Sequence, residues 1–290
     1  MTLQTVAAAD PFIPRRARSE VARKAFFYAV IVLVAAIFFV PFIYTLTTSF
    51  KTLPDAANVT FIPHPWTSSA WHTIWTQYDF KTYIKNSVFL ALVVTVCNIF
   101  LGGLGGYAFA RLKFPGRELL FLLVLGTLMI PDQLRLIPVF VMLTNWHLIA
   151  SFKGYILISM IQATNLFFMR QYFLTIPTDY EEAAKLDGAG YFKTFWRVML
   201  PLALPAIAAL TILQFQGTWN DFFWPLILFG QGNPKLYTVQ LGLALLRFNY
   251  STLWPQILAG SIIAITPIFI VFVFFQRYFI SGLTTAGVKG

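Results

Sequence analysis

Long apolar runs separated by short polar stretches organise this chain. A helix needs about 20 mostly apolar residues to cross a bilayer. Six runs reach that length, at about 25–47, 86–110, 119–143, 154–174, 202–229 and 254–275. Nothing in them alternates with the period of two that a membrane barrel strand requires. The expected fold is therefore all-α, a polytopic membrane protein with six transmembrane helices. The spanning domain would occupy 25–280, between a polar tail at 1–24 and a short tail at 281–290.

Composition supports that reading. Hydrophobic residues make up 58% of the 290 and charged residues 11%, where a soluble domain carries roughly a quarter charged. A soluble globule so apolar would expose large greasy patches. The first 24 residues are basic, and the run after them is too long for a signal-peptide core. Cys97 is the single cysteine, which excludes an intrachain disulfide and a cysteine metal cluster. It reads as a small apolar residue inside a span.

The net charge of +10 raises the question of nucleic acid, and its distribution answers it. With the N-terminus inside, the inner segments hold Arg15, Arg16, Arg18, Arg23, Lys24, Arg111, Lys113, Arg117, Arg170, Lys185, Lys193, Arg197, Arg277 and Lys289, which is 14 of the 21 basic residues. The outer segments hold the remaining 7. Positive charge retained on the cytoplasmic side predicts both termini inside. No nucleic-acid partner is needed to explain the charge.

The outer segment 51–85 carries Trp66, Trp71 and Trp75 among prolines. Amphipathic rings suit a membrane interface, and they also suit stacking on sugar rings. The interface reading is preferred, since nothing orders a binding face. Pro41, Pro131, Pro138, Pro205, Pro225 and Pro267 fall inside the runs, and each removes a backbone donor and invites a kink. Gly102, Gly103, Gly105 and Gly106 permit close helix packing.

The most informative stretch joins the fourth and fifth runs, 177–201. Thr178 followed by Glu181 has the spacing of a capping box. Asp179, Glu181 and Glu182 suit the positive end of a short helix running to about Asp187. Gly188 suits a left-handed bend. A second short helix is expected at 191–199, with Phe192, Phe195, Trp196 and Met199 on one apolar stripe and Pro201 as its end. By physics alone this pair is either a connector lying on the bilayer or a docking element.

The pattern Glu182-Ala183-Ala184, then Gly188, then Val198-x-Leu200-Pro201 resembles the EAA signature of ABC-importer permeases, with Val198 where that family usually has Ile. Asn86-Ser87 and Gly106-Tyr107-Ala108-Phe109-Ala110-Arg111 resemble the second span of carbohydrate-type permeases. Trp219-Asn220-Asp221-Phe222 resembles their fifth span, usually with Glu at the place of Asp221. The end of the chain, Gly282 to Gly290, is similar to the tail of the maltose-type subfamily.

The resemblance implies a permease subunit of an ATP-driven ABC importer, working by alternating access on a carbohydrate or related solute in the plasma (inner) membrane of a prokaryote. Its implied partners are a second homologous permease, two ATP-binding subunits, an extracytoplasmic solute-binding protein and the lipid bilayer. It implies that Glu181, Glu182, Ala183, Ala184, Asp187, Gly188, Leu200 and Pro201 form the ATPase-coupling socket. It places Trp219, Asn220 and Asp221 as candidates for the pathway lining, with bonding between helices as the other reading. It also makes Lys289 a candidate ATPase contact in the tail, with a disordered end as the other reading. No cofactor is expected in this chain, ATP and Mg belonging to the partner ATPases.

Two other classes compete. An ion-coupled secondary transporter keeps ionisable groups at mid-membrane, whereas these runs hold almost no carboxylate. Asp132 and Arg135 have a spacing at which they pair with each other. A membrane enzyme would need a catalytic set, and His64, His72 and His147 lack metal-ligand spacing. No P-loop is present.

Overall fold

A computed structural model describes residues 15–230, 232–248 and 253–286. Among these the chain is helical, with no strand. α1 (Arg15–Thr48) begins within the expected polar tail, because Arg, Ala and Glu are good helix formers. A cap of two short helices follows, α2 (Leu53–Ala56) and α3 (Ser69–Thr76). α4 (Phe80–Arg111) is the long second span. α1, α4 and the last helix are each long and apolar enough to cross a membrane.

The other expected spans are broken, and proline accounts for most of the breaks. α5 (Arg117–Thr127) gives way to a 3-10 turn at Asp132–Arg135 and then α6 (Leu136–Asn145). The two arms meet at 95°. Pro131 removes a donor and pushes Ile130 away from helical backbone. The fourth run forms α7 (Phe152–Ser159) and α8 (Ala163–Thr175), each too short to cross alone. The connection that follows holds α9 (Asp179–Leu186), α10 (Tyr191–Thr194), a π-turn at Phe195–Met199 and α11 (Leu200–Leu202). α12 (Leu204–Asn220) leaves it at 78°. The fifth run breaks again before α13 (Phe223–Phe229). Pro225 cannot bond the Asp221 carbonyl and its ring would clash with it. The Asp221 carboxylate instead accepts the Trp224 N–H at 3.3 Å and starts the new helix. After a 3-10 turn at Pro234–Leu236 come α14 (Val239–Phe248) and α15 (Trp254–Ala286).

The bundle is built on α4, with α8 and α12 packed against it. A Cβ on Gly106 would lie 2.7 Å from the Met169 Cβ and 2.8 Å from the Arg170 nitrogen, and one on Gly105 2.8 Å from Leu166. The glycines thus let α8 lie almost backbone to backbone on α4. Asn86 donates to the carbonyls of Lys235 (2.8 Å) and Tyr237 (2.9 Å), and the Ser87 hydroxyl accepts the Val239 N–H at 2.9 Å. The pair therefore anchors the entry to α14. In the cap that holds α2 and α3, Lys51 is fully buried and donates to the carbonyls of Asn58 and Thr60 and to the Thr60 hydroxyl. Trp71 stacks on Phe50 and donates to Ser49, whereas Trp66 and Trp75 stay exposed.

Candidate functional site

The connection from α8 to α12 divides into an outward and an inward face. α9 has the expected length. Asp187 closes it, and Gly188 turns the chain with φ 73°. Only glycine adopts that conformation without strain, and a Cβ there would meet nothing within 4 Å. The constraint is therefore backbone conformation, not space. Glu182, Ala183, Leu186 and Asp187 face outward, with Leu186 90% exposed. Glu181 and Ala184 are buried against the bundle.

Two local expectations are corrected. Thr178 stands at the N-cap of α9, but its side chain makes no capping bond. Glu181 does not reach back to it, because its carboxylate turns inward to Arg111, 3.4 Å from Nε. The apolar stripe of the second helix is also split. Phe195 and Met199 are buried while Phe192 and Trp196 are exposed. Phe192 and Trp196, four apart, lie on one flank of the stripe and Phe195 and Met199 on the other, and only the second flank meets the bundle. Pro201 has no N–H for the Arg197 carbonyl, and the chain there widens to a π-turn. The Leu200 N–H bonds back to the Phe195 carbonyl. The helix therefore passes through Pro201 and breaks at Ala203. Leu200 is half-buried beside Phe195 and Met199, and Pro201 is exposed.

The inner end of this element rests on the ends of α4 and α8. Tyr107, Phe173, Phe195 and Met199 form one buried cluster, with Tyr107 and Phe195 rings 5.3 Å apart. Arg111 donates to the Phe173 carbonyl at 2.7 Å and to the Ile176 carbonyl. Arg170 lies over the Phe121 ring at 4.0 Å and 3.5 Å from Glu118.

The fifth-span residues are placed separately. Trp219 is buried and donates its indole N–H to the Ala264 carbonyl at 2.9 Å. Asn220 is exposed and accepts from Gln240 at 3.1 Å. Asp221 accepts the Tyr155 hydroxyl at 2.8 Å. Asp132 and Arg135 form an exposed ion pair. Lys289 lies outside the described residues. The sequence reading missed a buried amide cluster of Asn98, Asn165 and Gln214. Amides inside apolar runs were the signal for it.

A bundle of helices, several of them long and apolar enough to cross a membrane, defines a polytopic membrane protein. Residues 98–285 match the model of the family described as binding-protein-dependent transport system inner membrane component. The chain belongs to that family. It is 41% identical over 205 residues to the arabinooligosaccharides transport system permease protein AraQ of Bacillus subtilis, covering 71% of this chain and 72% of that one. It is 33% identical over 225 residues to the sn-glycerol-3-phosphate transport system permease protein UgpE of Yersinia pestis, covering 76% and 80%. Among solved structures, a chain of a bacterial ABC transporter involved in the import of the acidic polysaccharide alginate matches 93% of this chain and all of that one, with TM-score 0.75 and 25% identity. The protein is thus a multi-pass inner-membrane permease subunit of an ABC importer. Its relatives are named as permeases, not enzymes.

Proposed function

We propose that this chain is one of two related permeases which, with two ATP-binding subunits, import a carbohydrate or related solute delivered by an external binding protein. Both termini lie inside, and the six apolar runs each serve as a span despite their breaks. ATP and Mg bind on the partner subunits.

The exposed outer face of α9 carries this reading. Glu182, Ala183, Leu186 and Asp187 project together from a helix fixed to the bundle on its other side. Exposed apolar and small residues beside carboxylates suit a groove with a basic rim. Gly188 sets the angle between α9 and α10, and Leu200 and Pro201 lead from α10 into α12. Asn220, exposed and bonded to Gln240, faces the pathway. Trp219 and Asp221 hold the helix break behind it.

Right-side-out vesicles, or proteoliposomes with ATP enclosed and binding protein outside, containing the whole complex test the proposal. Uptake of labelled arabino- or malto-oligosaccharides should require ATP and binding protein and resist an uncoupler. Uptake that ignores ATP and collapses with the uncoupler would overturn it in favour of ion coupling.

A further inference from the structure

We propose that Arg111 is a positioning residue for energy coupling, a post that makes α9 move as one body with the ends of α4 and α8. This rests on the reading of α9 as the docking helix. Arg111 is the last residue of α4, and its side chain is 9% exposed. One edge of the guanidinium faces the buried carboxylate of Glu181, in the first turn of α9, at 3.4 Å. The neighbouring Nη2 donates to the carbonyls of Phe173 and Ile176, where α8 ends. Helix ends leave carbonyls without partners, and a cation there also complements the helix dipole. A single planar fork thus joins three elements, which a lysine point charge does less well.

The backbone alone would not make this joint. α9 connects to α8 through 176–178 and to α10 through the turn at Gly188. Both links are short non-helical segments that absorb rotation. The direct covalent route for motion leads onward through α10 and α11 into α12. The Arg111 contact adds a second route, from α9 straight into α4 and α8. Buried ion pairs contribute little net stability, since desolvation offsets their attraction, and fixing register is among their better attested uses. Glu181 therefore works inward, while Glu182 beside it works outward.

The test uses the full complex, carrying Cys97→Ala and nitroxides on cysteines at Lys113 and Lys185. The distance between the labels is measured with and without Mg-ATP plus vanadate. Membrane content and the ratio of ATPase to permease are measured alongside. With the native pair, the distance should stay constant on ATP addition. In Glu181→Gln and Arg111→Met it should shift by more than the roughly 2 Å of ordinary packing adjustment, with ATPase content unchanged. If Arg111→Met does not accumulate, Glu181→Gln decides alone. A distance that shifts in the native complex, or stays constant in Glu181→Gln, overturns the proposal. So does loss of ATPase from Glu181→Gln, which would assign Glu181 to the docking surface. A wild-type complex that holds no ATPase overturns the docking reading itself, whatever the distances show.

Discussion

The side-chain amide of Asn165 donates to the Gln214 carbonyl oxygen at 2.6 Å, fully buried between α8 and α12. The same amide reaches Asn98 on α4 at 3.1 Å. Asn98 in turn donates to the Ser159 carbonyl at 2.6 Å, a group left free where α7 stops. Gln214 passes the chain on to Thr218. The gap between α7 and α8 is thus closed by a polar cluster in the middle of the bundle.

Asn165→Leu removes the centre of this cluster and leaves Asn98 and Gln214 each short of a partner. Such bonds within membranes contribute about 1–2 kcal/mol at most. The expected outcome is a lower unfolding temperature in detergent with normal membrane insertion, read by thermal fluorescence of the purified complex. An unchanged transition would mean the three amides are not a unit.

Gly188→Ala keeps the space it needs, since nothing lies within 4 Å of a Cβ there. Its cost is the positive φ, about 1–2 kcal/mol. Partial loss of coupling is expected, with uptake reduced and insertion normal. Gly188→Pro cannot adopt φ 73° and should abolish uptake and weaken ATPase co-purification. Equal activity of the two variants would count against the bend.

Glu182→Lys reverses a charge on the exposed face of α9 and touches no internal contact. Transport and ATPase co-purification should fall together, while the amount of permease in the membrane stays at the wild-type level. Normal uptake would remove Glu182 from the docking surface.

Gly106→Val places a side chain against Met169 and the Arg170 backbone. α4 and α8 must then separate, so little folded protein is expected in the membrane fraction by immunoblot. Gly126→Val, where a Cβ meets nothing, is the matching control and should accumulate normally.

Trp219 and Asn220 separate packing from pathway. Trp219→Phe loses the bond to Ala264, about 1 kcal/mol, and should lower stability without changing solute preference. Asn220→Ala should alter uptake kinetics and leave stability close to wild type. The reverse pattern would exchange their roles.

Apolar run length alone announced a membrane protein built of helices, because crossing a bilayer demands that length whatever the packing. Local chemistry was as legible in α9. Acidic residues and Gly188 specify its first turn and its end without help from the rest of the chain. Tertiary structure decided where those residues point. Thr178 and Glu181 have capping-box spacing, yet Glu181 is drawn to Arg111, a residue 70 positions away in the sequence. Helical periodicity put Phe192, Phe195, Trp196 and Met199 on one stripe, and only packing decided that its Phe195 and Met199 flank is the one buried. Trp219 and Asn220 are adjacent in the chain, and only the position of α15 buries one and leaves the other exposed. Spacing along the chain controls local turns, whereas burial depends on which distant surfaces meet, and that information appears only when the helices are packed.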